Sequence, residues 1–169
     1  VCGTLDINTG GAINIQSVWE SKKACGTTTV ENSIITKCMA PTGSALLLGT
    51  QNQGTSQTPE NCKVTILNSE IFNCSSDGGG TVRSIGAAVA NLYLTNTVIH
   101  HNFSSSGAGL YWNAHGLANA DTKCIINGCT FSDNIAIDRG GGMMLESSFE
   151  FTGNQTLVTN NTAGDQGGG

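Results

Sequence analysis

Three sets of residues in this chain of 169 could carry chemistry: carboxylates placed ahead of glycine runs, an adjacent histidine pair, and seven cysteines. Asp77, Asp138 and Asp165 each precede a glycine-rich corner, and Asp121, Asp133 and Arg139 complete the charged candidates. Enzymes that cleave polysaccharides use carboxylates in this way, often with an arginine or Ca²⁺ on one exposed face. The recurrence of Asp77, Asp138 and Asp165 at one place is also what turn chemistry requires, because an aspartate side chain caps turns. With only 12 Asp and Glu and no tight acidic pair, the turn reading is preferred, and no catalytic, metal or cofactor-binding residue is expected. His100 and His101 follow Ile99 in a strand pattern, where neighbouring side chains point to opposite sides, so they are not expected to share a ligand. His115 falls in a loop pattern and reads as a solvated or satisfied histidine. Tyr111 and Trp112, or Trp19, could form a sugar-stacking platform, but packing is the preferred role for the Tyr111–Trp112 pair. The glycine runs lack the Gly-Lys-Ser/Thr of a phosphate-binding loop.

The elements that must position these residues follow from composition. Only 11% of residues are charged, against about 25% in an ordinary domain, and the chain holds 23 Gly and only 2 Pro. Surface helices rich in Glu, Lys and Arg are hard to place in it. A net charge of -5 with 7 Lys and Arg argues against nucleic acid or an anionic membrane as the main partner. No apolar run approaches the roughly 18 residues of a membrane-spanning helix. The chain opens on Val1-Cys2-Gly3 and closes on Gly167-Gly168-Gly169, which reads as a processed chain or a segment.

A repeat organises the sequence. Asn-x-x-apolar-x-x-Asn/Cys occurs as Asn32…Ile35…Cys38, Asn68…Ile71…Cys74, Asn96…Ile99…Asn102 and Asn154…Leu157…Asn160. Asn127…Phe131…Asn134 is the same unit with one residue inserted, and the leading Asn residues are spaced by 36, 28, 31 and 27. Each unit runs through a polar stretch to glycines and then to a short apolar strand. A period near 30 without a helix pattern indicates a solenoid, and it is too short for a propeller blade. The expectation is an all-β chain forming a single parallel β-helix over 1–169, of about five to six turns with two or three strands per turn. Glycine and asparagine serve its corners, and like residues stack at about 4.8 Å. Residues 49–60 are a polar insertion that accounts for the longest spacing and is the expected variable, partner-facing or glycosylated segment.

Seven cysteines without a Cys-x-x-Cys pair favour disulfides and an oxidising compartment. Cys38 and Cys74 hold one place in adjacent units, and Cys25 and Cys62 precede the same asparagines by seven and six residues. Stacked positions fall within disulfide reach, so Cys38–Cys74 and Cys25–Cys62 are the expected pairs. Cys124 and Cys129 are a local candidate that an extended strand would hold too far apart, and Cys2 is left unpaired or intermolecular. Asn73, Asn102, Asn154 and Asn160 head N-glycosylation sequons.

Gly10-Gly11-Ala12-Ile13 resembles the Gly-Gly-Ala-Ile/Leu/Val motif of chlamydial-type polymorphic outer-membrane protein repeats, and Phe131-Ser-Asp-Asn134 resembles their Phe-x-x-Asn motif. Ile99-His-His-Asn102 and Leu157-Val-Thr-Asn160 are aliphatic versions of the second motif. The resemblance implies a right-handed parallel β-helix displayed at a cell surface with an adhesive or structural role. The cysteine ladder departs from that pattern, and a C-terminal membrane barrel is not expected within these 169 residues. The expected function is therefore that of a non-enzymatic, extracellular structural or adhesive protein that stacks end to end. The alternative is a carbohydrate-active β-helix enzyme or a glycan-binding module.

Overall fold

The computed structural model describes residues 11–16, 27–49, 63–85, 91–113, 123–146 and 150–168. Cys2, Gly10, Trp19, Cys25, Cys62, His115, Asp121 and residues 50–60 of the expected insertion lie outside them. The described residues make five passes of four short strands. The first is β1 (Ile13–Gln16), β2 (Thr27–Glu31), β3 (Ile34–Thr36) and β4 (Met39–Ala40). The second is β5 (Leu46–Gly49), β6 (Lys63–Leu67), β7 (Glu70–Phe72) and β8 (Ser75–Ser76). The third is β9 (Val82–Ile85), β10 (Asn91–Thr95), β11 (Val98–His100) and β12 (Phe103–Ser106). The fourth is β13 (Leu110–Asn113), β14 (Lys123–Asn127), β15 (Thr130–Ser132) and β16 (Ile135–Arg139). The fifth is β17 (Met143–Glu146), β18 (Glu150–Asn154), β19 (Leu157–Thr159) and β20 (Thr162–Ala163). Each pass adds one strand to each of four five-stranded sheets: sheet 1 from β1 to β17, sheet 2 from β2 to β18, sheet 3 from β3 to β19, and sheet 4 from β4 to β20. Every pairing between these strands is parallel, which makes the chain an all-β parallel solenoid.

There are four strands per pass, where the sequence suggested two or three, because each pass has three tight corners made by a left-handed residue. Between sheets 2 and 3 these are Asn32, Asn68, Asn96, Gly128 and Gln155, with φ of 49, 48, 47, 63 and 48°. Between sheets 3 and 4 they are Lys37, Asn73, His101, Asp133 and Asn160. Gly43, Gly107, Gly140 and Gly167 turn the chain back toward sheet 1, at φ of 58 to 68°. Asparagine and glycine tolerate this region better than other residues, which is why they punctuate the sequence.

Inward-facing residues stack pass upon pass. One column is Ile35, Ile71, Ile99, Phe131 and Val158. Another is Leu46, Val82, Leu110 and Met143. A third is Val30, Ile66, Leu94 and Ile126. The largest side chains with no solvent exposure are Trp112 and Phe131. Burying an apolar side chain of this kind stabilises the fold by about 1.5–3 kcal/mol. These columns are the core.

The register also corrects the repeat alignment. Asn127 pairs with Asn154 but sits opposite Thr95, one place before the corner. Gly128 and Gln155 therefore occupy the corner that Asn32, Asn68 and Asn96 occupy in the earlier passes. The same shift makes Val158, not Leu157, the core residue, and Asn161, not Asn160, the closing asparagine. A slip of one residue exchanges the faces of a strand, and Leu157 is accordingly exposed.

Candidate functional sites

The closing position of the repeat builds a polar column, Cys38, Cys74, Asn102, Asn134 and Asn161, whose three middle members are buried. Asn134 Oδ1 accepts from the backbone N and from Nδ2 of Asn102 at 3.1 and 3.0 Å. Its own Nδ2 donates to Ile99 O at 3.0 Å and to Asn161 Oδ1 at 2.9 Å. Asn102 Oδ1 accepts from the Cys74 backbone N at 3.0 Å, which joins the thiols to the ladder. The glycines of sheet 1 make room for it. A Cβ on Gly142 would stand 2.9 Å from both Asn161 Nδ2 and Val158 Cγ1, and one on Gly109 would stand 2.4 Å from Gly142 O. The Phe-x-x-Asn tetrapeptide is thus a core aromatic followed by a ladder rung, and the glycines face its amide.

The ladder decides among the sequons. Asn102 is buried, and its Nδ2 donates to Ile71 O and to Asn134, so the folded chain leaves no room for a glycan there. Asn73, Asn154 and Asn160 stand exposed at or beside corners.

Cys38, Cys74, Cys124 and Cys129 are all free thiols in this structure. Cys38 and Cys74 nonetheless occupy one column, and the Ser75 backbone N donates to Cys38 O at 2.8 Å. Burial pushes the Cys74 thiol up to about 12. Burial likewise pushes the Cys124 thiol up to about 12. Cys129 belongs to another column, Ser33, Ser69, Thr97, Cys129 and Thr156. Each of its hydroxyls, and the Cys129 thiol, donates to the carbonyl two residues back. Cys129 is therefore a serine-like turn residue, which sequence spacing did not reveal.

The described acidic candidates do not all converge. Among the described residues no three His, Cys, Asp or Glu side chains gather at one point. Asp77 is exposed at its corner. Asp138 and Asp165 flank the Arg139 guanidinium, with Nε at 3.8 and 3.9 Å from their carboxylate oxygens. These are surface ion pairs, one within β16 and one to the next pass. Asp133 lies at a different corner.

Two clusters that sequence reasoning missed lie on the outer faces. On sheet 1, register places Leu47, Arg83, Tyr111 and Met144 in one outward column. The Arg83 guanidinium lies 5.1 Å from the Tyr111 ring centroid. Tyr111 Oη donates to Glu146 Oε2 at 2.7 Å, and Asn113 Nδ2 donates to the same oxygen at 2.8 Å. Burial raises the Tyr111 phenol above its ordinary range and lowers that of the Arg83 guanidinium. Buried Arg83 Nε has no hydrogen-bond partner among the described residues. This group holds one oriented carboxylate beside one cation, close to where the connections from sheet 1 to sheet 2 vary from three residues (147–149) to thirteen (50–62). Tyr111 is not an open platform, because Arg83 covers its ring. Trp112 is fully buried in the core, so packing is its role.

On sheet 3 the histidines meet. His100 Nδ1 and His101 Nδ1 are 2.7 Å apart, and His100 Nε2 is 2.9 Å from Glu70 Oε1. The His100 ring stacks on Phe72 at 5.1 Å between centroids and 8° between planes. The expectation that the pair diverges fails because His101 is a left-handed corner residue, φ 53°, rather than a continuing strand residue. Alternation of side chains holds only while the backbone stays extended.

No protein-family model, no curated protein and no solved structure matches this chain significantly.

Proposed function

We propose that this chain is a non-enzymatic extracellular β-helix with a structural or adhesive role, which extends by stacking coil upon coil. The observation that carries this reading is the axial face of the fifth pass. Phe151 occupies the column of Val64, Leu92 and Cys124, which are fully buried, yet it is 42% exposed. Strands β17–β20 each pair on one side only. Unpaired strand edges above an apolar core accept a further coil, whether from the same chain or from another copy. In finer detail, the proposal is a right-handed helix of about five to six turns. The Cys38–Cys74 column closes to a disulfide on oxidation, as does Cys25–Cys62. The exposed sequons Asn73, Asn154 and Asn160 fit a secreted glycoprotein.

Electron microscopy of the native, unreduced protein tests this reading. Filaments with an axial repeat of about 25–30 Å, the length of five or six coils at about 4.8 Å each, are expected. Monodisperse short rods that do not elongate at high concentration would overturn end-to-end assembly. A second reading rests on the Arg83–Tyr111–Asn113–Glu146 cluster, whose cation and oriented carboxylate suit an acidic glycan. Cleavage or retention of uronate-containing polysaccharides, lost in Arg83→Ala, would favour the glycan-directed alternative.

A further inference from the structure

The contacts among Glu70, His100 and His101 serve no stacking column, and their chemistry is specific. With ionised Glu70 accepting at Nε2, the neutral ring of His100 presents its Nδ1 lone pair on the side of His101. The two Nδ1 atoms are 2.7 Å apart, so only one proton fits between them. A cation that accepts two imidazole lone pairs can replace that proton. We propose that His100 and His101 form a two-imidazole binding site for a square-planar divalent transition ion, Cu²⁺ above all. Glu70 is the positioning carboxylate.

The separation narrows the choice to an ion that takes ligands at right angles. Metal–imidazole bonds of about 2.0 Å place two cis nitrogens about 2.8 Å apart on a square-planar ion, and about 3.3 Å apart on a tetrahedral one. The observed 2.7 Å is close to the first. Cu²⁺ also heads the affinity order for nitrogen ligands. Three features hold the geometry. His101 is fixed at a left-handed corner, the His100 ring is clamped against Phe72, and a carboxylate holds the far nitrogen, as outer-sphere carboxylates do for metal-bound histidines. Asp133 takes the corresponding corner one pass further on and adds negative charge beside the site. Because no third protein ligand converges among the described residues, the other coordination positions are taken by solvent.

Titration of the full chain with CuCl₂, followed by electron paramagnetic resonance, tests the site. One Cu²⁺ per chain with superhyperfine splitting from two equivalent nitrogens is expected. His101→Asn puts at this corner the residue that Asn73 and Asn160 already provide, so it keeps the fold while removing a ligand. It should lose the two-nitrogen signal and weaken binding by at least tenfold. Glu70→Gln should weaken binding by about 10–100-fold with the signal pattern kept. The proposal is overturned if His101→Asn binds Cu²⁺ like the unaltered protein, or if the signal is that of a thiolate site without nitrogen splitting. Absence of binding at 1:1 stoichiometry would overturn it equally.

Discussion

At the scale of single residues, the closing asparagines do more for this fold than any charged group. Asn134 is fully buried and uses both lone pairs and both amide hydrogens, linking the third, fourth and fifth passes. Asn134→Ala leaves the Asn102 and Ile99 partners unsatisfied in the core. It should destabilise the folded chain by about 2–3 kcal/mol, read as a lower midpoint in a thermal or denaturant melt. Asn134→Asp should be worse, because a carboxylate cannot donate to Ile99 O and its charge has no counter-ion there. An unchanged midpoint for Asn134→Ala would mean that the ladder is ornamental. Part of this was legible in the sequence. Phe131 and Asn134 stood out as a motif pair, and Cys38, Cys74 and Asn102 fell at the same offset from their leading asparagines. The hydrogen bonds that make Asn102 a rung rather than a glycan acceptor were not legible. A sequon records only three residue types, whereas burial depends on the neighbouring passes.

At the scale of the strand and its corner, the solenoid depends on backbone conformations that are costly for most residues. The column from Asn32 to Gln155 keeps φ near 50–60°, and only its last member is neither asparagine nor glycine. A non-glycine residue in this region loses about 1–2 kcal/mol, and asparagine recovers part of that. Gln155→Asn should therefore raise stability by about 0.5–1 kcal/mol, and Gln155→Gly by less, since glycine adds freedom to the unfolded chain. A lower melting temperature for Gln155→Asn would show that the Gln155 side chain contributes a contact that outweighs the strain. These corners also explain which strands could be read from sequence. The repeat period and the all-β character follow from the asparagine and glycine spacing alone. The one-residue insertion is legible in the Asn127 unit but not in the Asn154 unit, where Leu157 and Asn160 mimic the shorter spacing while the corner passes to Gln155. The convergence of His100 and His101 was hidden for a related reason. A strand pattern gives no sign of where the extended backbone ends, and His101 turns the corner one residue after β11.

At the scale of the whole molecule, columns rather than layers define the core, so each pass is stabilised mainly by the pass on either side of it. Interior passes bury their inward residues fully, while the fifth leaves Phe151 and the edges of β17–β20 uncovered. The outer face of sheet 4 carries a second apolar feature: Phe103 and Ile135 stack directly, Met39 stands further along the same column, and Ile137 follows on β16. The two features differ in what they can accept. The axial face offers backbone hydrogen bonds in register with an apolar centre, which a further coil completes. The sheet 4 face has its backbone paired already and offers only side chains. Axial growth should therefore depend on Phe151, and Ile137 should affect only side-by-side association. Phe151→Lys places a charge over the core column at the stacking plane, where a further coil would desolvate it. In sedimentation velocity at rising concentration, the unaltered chain is expected to form species of increasing length, and Phe151→Lys to remain a single short rod that still melts cooperatively. Ile137→Lys should elongate like the parent. Elongation that survives Phe151→Lys but fails in Ile137→Lys would move the assembly interface from the end of the solenoid to its side.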